Sequence, residues 1–182
     1  MQSSKLQFKI QNFINPLIII GIAVVLRLLP HPPNFAPIGA MALFGGAYLN
    51  KKYALIVPLV AMFFSDFFLG FHSTIPFVYG SFLLTGLIGL WLRHHRTIQN
   101  IIGASCISSL LFFIITNFGV WLVGNMYPKT ISGLLECYIA AIPFFRNTII
   151  GDLFYAGVFF GSYALVLRFF SFEKLRIRMT RK

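Results

Sequence analysis

Six apolar runs fill most of this 182-residue chain, and only a membrane gives them a common solvent. Charged residues make up 10% of the sequence, against about 25% in a soluble domain, while 58% is apolar and 17% aromatic. Bounded by charges, prolines and glycines, the runs cover about 15–29, 36–49, 53–71, 74–92, 98–124 and 143–170. The expected architecture is all-α: a single integral membrane domain over 1–182 with six transmembrane helices and no second soluble domain.

Local signals refine these boundaries. Pro30-His31-Pro32-Pro33 cannot continue a helix and closes the first run. The second run is short, roughly 21 Å at about 1.5 Å per residue, and rich in small residues, which suits a partly re-entrant span. Its Ala42-xxx-Gly46 is a small-xxx-small pair. Pro58 predicts a kink in the third run. The segment 125–142 is expected to be a linker with a short interfacial helix over 131–141, and Pro143 to sit in the first turn of the sixth span. The N-terminus imitates a signal peptide, but Arg27 interrupts it before any small-x-small cleavage site, so the first span is expected to be retained.

Orientation follows from lysine and arginine. With the N-terminus inside, the inner segments are the N-terminus, Lys51-Lys52, Arg93-His94-His95-Arg96 and the tail from Arg168, including 171–182. Together they hold twelve of the fifteen basic residues. An even number of spans with both termini cytoplasmic is the expectation. The formal charge of +11 then reflects topology and contact with anionic lipid, and nucleic acid is not an expected partner. Cys106 and Cys137 fall toward opposite faces and are not expected to pair.

Only four carboxylates occur, Asp66, Glu136, Asp152 and Glu173, and Asp66 and Asp152 lie inside expected spans. An ionisable group in hydrocarbon is costly unless paired or hydrated, which makes each a hypothesis of function. The orientation gives the polar residues a depth. Arg27, Asn34, Asp66 and Tyr79 fall in the outer part of the bundle. Asn117, Trp121 and Asn125 recur four apart on one helix face there, and Arg146, Asn147, Asp152 and Tyr155 occupy the outer half of the last span. The inner halves are almost purely apolar. One outward-facing pocket is therefore expected, with Asn34, Asp66, Tyr79, Asn117, Trp121, Asn147, Asp152 and Tyr155 as candidate ligand contacts. Arg27 and Arg146 are candidates for structural ion pairs with the two aspartates. No phosphate loop, Gly-x-Ser-x-Gly elbow or His-Glu-x-x-His occurs, so neither an enzyme, a cofactor nor a metal is expected.

The run Arg27-Leu28-Leu29-Pro30-His31-Pro32-Pro33-Asn34-Phe35-Ala36-Pro37-Ile38-Gly39-Ala40, the pair Ser65-Asp66, and Arg146-Asn147-Thr148-Ile149-Ile150-Gly151-Asp152 resemble a family of small, uncharacterised bacterial membrane proteins over nearly the whole chain. That family in turn resembles the substrate-binding S components of energy-coupling-factor transporters, in size, in six spans and in the arginine-then-proline-rich close of helix one. The resemblance implies a receptor in the bacterial inner membrane for a vitamin or related micronutrient. Such a receptor binds its small-molecule ligand near the outer face and docks on a transmembrane coupling subunit driven by two cytoplasmic ATPase subunits. S components dock through small residues on helix one. Here Gly21 is followed four later by Val25, which leaves Ala42-xxx-Gly46 for that role. The alternatives are a stand-alone ion-coupled carrier or channel with proton sites at Asp66 and Asp152, and a structural membrane protein acting through its basic tail.

Overall fold

The computed structural model describes residues 16–180. The N-terminal segment with Lys5 and Lys9, the final Arg181 and Lys182, and the side chains of Lys174, Arg176 and Arg178 lie outside the described residues.

Among the described residues every regular element is helical: α1 (Pro16–Leu28), α2 (Ile38–Tyr48), α3 (Lys51–Ala54), α4 (Ile56–Leu69), α5 (Ile75–Leu92), α6 (Ile98–Val123) and α7 (Ile131–Thr180). The breaks follow local chemistry. α1 stops ahead of the proline cluster, and Thr97 opens α6 by accepting the Asn100 N–H at 3.2 Å. The expected irregularity at Pro58 falls one turn earlier, at Leu55 between α3 and α4. A proline lacks the N–H that would bond the fourth residue back, Ala54, and its ring crowds that carbonyl.

Three helices are long and apolar enough to cross a membrane: Ile75–Leu92, Ile98–Val123 and Ile131–Phe169. Large apolar side chains stand exposed along them and along α4, as with Phe67 and Phe68 at 68% and Ile98 at 78%. Patches of this extent do not persist in water, and lipid is the solvent they fit. The protein is therefore a helical membrane protein.

The last helix departs from expectation. The expected interfacial helix over 131–141 and the expected sixth span are one continuous helix of 50 residues, with Pro143 inside it rather than in a first turn. Pro143 removes one backbone donor, but the stretch before it is held onto α6. Tyr138 Oη donates to the Ile114 carbonyl at 2.7 Å, and Cys137 Sγ to the Asn117 carbonyl at 3.5 Å. The helix expected over 131–141 is present, and those contacts seat it on α6 in line with the span that follows. Cys106 and Cys137 are both free.

At the centre stands α2, every residue of which is buried. Its small residues let neighbouring backbones approach closely. A Cβ on Gly89 of α5 would lie 2.6 Å from the Leu43 carbonyl oxygen and 2.9 Å from that of Ala42, and a Cβ on Gly46 would strike the Gly89 backbone. This corrects the expectation that Ala42-xxx-Gly46 serves as an external docking face, since the pair is spent on the internal crossing with α5. Arg93 reaches back to the C-terminal end of α2, where Nη2 donates to the carbonyls of Gly46, at 2.9 Å, and of Leu49. A guanidinium there complements the negative end of the helix dipole and satisfies carbonyls the helix leaves unpaired. Below the middle of α2 the bundle is filled by Phe44, Tyr48, Phe160 and Tyr163, with the Tyr48 and Tyr163 rings tilted at 41° and their centroids 4.0 Å apart.

Candidate functional site

The opposite end of α2 is where the polar residues meet. Between α1 and α2 the chain turns through Pro32–Phe35, closed by the Phe35 N–H to the Pro32 carbonyl at 3.0 Å, with Asn34 at φ 63°. Proline second and asparagine third suit such a turn, since proline presets its φ and asparagine tolerates the left-handed region. The loop is seated on α7. Asn147 Nδ2 donates to the Pro33 carbonyl at 3.0 Å, Phe35 packs against the rings of Phe154 and Tyr155, and a Cβ on Gly151 would come within 3.2 Å of Phe35 Cα.

Immediately after Gly151 on α7, the Asp152 carboxylate lies against the first turn of α2. It accepts from the Ala40 N–H and, at 2.7 Å, from Ser109 Oγ of α6. Pro37 occupies the N-cap of α2 and has no side-chain acceptor to offer, so the cap comes from a different helix. The three heavy atoms nearest a Cβ on Gly39 all belong to Asp152, which is why a glycine stands there. Asp66 is the other buried carboxylate, 1% exposed. Its Oδ1 pairs with Arg27 Nη1 at 2.6 Å and its Oδ2 accepts from Tyr79 Oη at 2.7 Å, while Arg27 Nη1 also meets Ser65 Oγ. Arg27 and Asp66 thus form one expected ion pair. Arg146 is exposed, and among the described residues no ion pair joins it to Asp152.

Two adjoining cavities lie beneath the proline-rich loop. The first, about 370 Å³, has walls from α1, α2, α4, α5, α6 and α7 and includes Arg27, His31, Asn34, Gly39, Phe82, Thr85, Ser108, Phe112, Thr148 and Asp152. The second, about 520 Å³, shares Arg27, Asn34, Val78 and Phe112 with it and continues past Asn117 to His72 and Tyr127. Of the candidates named from sequence, Asn34, Asp152, Asn117 and Arg27 line these cavities. Asp66, Tyr79, Asn147, Trp121 and Tyr155 line neither. Asp66 and Tyr79 hold Arg27, Asn147 holds the loop, and Tyr155 packs on Phe35. Trp121 Nε1 donates to the Pro128 carbonyl at 2.9 Å, clamping the turn between α6 and α7, where Lys129 reaches the carbonyls of Trp121 and Gly124.

Thr85, Ser108 and Phe112 were not singled out from sequence. Thr85 and Thr148 donate their hydroxyl protons to carbonyls of their own helices, Ser81 at 3.0 Å and Phe144 at 2.9 Å. Toward the cavity these hydroxyls can only accept. Ser108 Oγ is buried and meets no hydrogen-bond partner among the described residues. The only hint of such a floor in the sequence is the Ser105-Cys106-Ile107-Ser108-Ser109 cluster in the middle of an apolar helix.

No curated protein and no solved structure matches this chain significantly. A family model does match, over residues 7–175, nearly the whole chain and all three sequence stretches that build this site. The chain belongs to a family of unknown function, DUF6580.

Proposed function

We propose that this protein is a membrane-embedded, substrate-binding subunit for uptake of a small nutrient, a vitamin or related micronutrient, energised by separate subunits. On this reading all six apolar runs span the bacterial inner membrane, both termini are cytoplasmic, and the cavity faces outward. The observation that carries it is the first cavity, walled by six helices under the proline-rich loop. Arg27, Asn34 and Asp152 supply its polar contacts, Asn117 lines the adjoining cavity, and Asp66, Tyr79, Asn147, Trp121 and Tyr155 act by positioning. A polar pocket with apolar walls suits a small ligand with both characters.

Two features favour a receptor over a stand-alone channel or carrier. The aromatic cluster of Phe44, Tyr48, Phe160 and Tyr163 fills the bundle between the cavity and the Arg93 end, so no polar route continues through. The sequence has no phosphate loop, which leaves the energy to a transmembrane coupling subunit and two ATPase subunits.

The test is equilibrium binding by the purified protein in lipid nanodiscs against a pool of vitamins and their precursors, without ATP or an ion gradient. Retention of one compound at one per protein, lost in Asp152→Asn, is expected. Proton-coupled flux by vesicles containing this protein alone refutes the reading in favour of a carrier.

A further inference from the structure

The first cavity holds a buried carboxyl group that no cation pairs among the described residues. Arg27 is neutralised by Asp66 at 2.6 Å, whereas Asp152, 5% exposed, has only neutral partners among the described residues, the Ser109 hydroxyl and the Ala40 N–H. A helix N-terminus offsets only about half an elementary charge, so when Asp152 is ionised its remaining counter-charge has to come from a ligand. Around Asp152 the hydroxyl oxygens of Thr85, Thr148 and Ser108 are open to accept. Thr85 and Thr148 have committed their protons elsewhere, and Ser108 Oγ is buried, unpartnered and on the same cavity wall. Facing them is an aromatic pair, Phe82 and Phe112, with ring centroids 5.3 Å apart. A cavity of about 370 Å³ is far larger than a bare inorganic cation requires.

Resting on the receptor reading, we propose that this cavity selects an organic cation: a primary or secondary ammonium, or a protonated heterocycle, carried on an apolar or aromatic body. Its N–H groups donate to Asp152, Ser108, Thr85 and Thr148, and its body lies on Phe82 and Phe112, whose ring faces favour positive charge. The acceptor floor requires N–H donors and not charge alone. A quaternary ammonium of the same skeleton is therefore a poor ligand, as are the neutral alcohol and the anion.

The experiment measures saturable binding of four probes of one skeleton to the full-length protein in nanodiscs by calorimetry. They are phenethylamine, its N-trimethyl derivative, phenethyl alcohol and phenylacetate. Phenethylamine is expected to bind about ten- to hundredfold tighter than the alcohol, the worth of a charge-assisted hydrogen bond. Ser108→Ala should weaken the amine several-fold while leaving the alcohol nearly unchanged. It does not touch the α2 cap, so it keeps the test valid if Asp152→Asn fails to fold. Equal or tighter binding of the alcohol or phenylacetate overturns the cation assignment and leaves the receptor reading standing. Equal binding of the trimethyl derivative overturns the donor requirement. Saturable binding by none of the four overturns the cation assignment, while the receptor reading stands or falls on the vitamin pool alone.

Discussion

Gly39 and Asp152 offer the most direct measurement of how α7 holds α2. The three heavy atoms nearest a Cβ at position 39 are all Asp152 atoms, with Cγ at 3.0 Å and Oδ2 at 3.1 Å, against the ~3.5 Å of a comfortable contact. Gly39→Ala should therefore cost about 2–3 kcal/mol of overpacking and recover about 1 kcal/mol of helix propensity, a net loss of about 1–2 kcal/mol. Asp152→Ala removes the acceptor for the buried Ala40 N–H and should cost about 2–3 kcal/mol. In the double variant the new methyl group at position 39 meets no carboxylate, so only its propensity gain remains. The pair should lose about 1–2 kcal/mol instead of the roughly 3–5 kcal/mol of simple addition, a favourable coupling of about 2–3 kcal/mol. Equilibrium unfolding of the four proteins in mixed micelles, followed by circular dichroism, gives each number. Losses that add to within about 0.5 kcal/mol would refute a direct cap of α2 by Asp152.

Three further outcomes follow from the same geometry. Asp66→Asn leaves Arg27 without its counter-charge and should destabilise the protein by about 3–5 kcal/mol, whereas replacing both partners together, Arg27→Met with Asp66→Leu, should be far milder; equal losses in the same unfolding assay would count against a tight pair. Arg93→Ala frees the carbonyls of Gly46 and Leu49 and should cost about 1.5–3 kcal/mol, with Arg93→Lys intermediate. Single cysteines in a background lacking Cys106 and Cys137 test the orientation: Asn34→Cys should react with a membrane-impermeant maleimide in intact cells and His94→Cys only after permeabilisation, and the reverse pattern would overturn it.

Much of the helical framework is legible because its punctuation is local. The proline cluster after Leu29, Thr97 before α6 and Pro58 near the α3–α4 break each act through their own backbone. The continuity of α7 is not legible, because it depends on bonds from Cys137 and Tyr138 to a different helix. The site divides in the same way. Sequence gives the depth of a polar residue but not its partner. Asp66, Tyr79 and Asn147 sit near the cavities yet are engaged by Arg27, by Asp66 and by the Pro33 carbonyl in turn, while Asn34 and Asp152 line the space itself. Thr85 and Ser108 escape notice because a hydroxyl in an apolar helix ordinarily bonds its own backbone. Phe82 and Phe112 escape it because a cavity phenylalanine is indistinguishable in sequence from a lipid-facing one.

The entirely buried α2 has a consequence for how this protein is made. A segment with no lipid-facing side gains little from insertion on its own, and both its ends are finished by other helices, Arg93 at one and Asp152 at the other. Synthesis supplies those two groups in order, with Asp152 arriving on α7, after the other helices of this bundle. Until then α2 is a tenant awaiting its walls, exposed to mispairing or to quality-control proteases. A chain truncated before α7 should therefore lose more than that helix: it should release the central helix and be degraded. Permanent assembly of this bundle waits until α7 has been made.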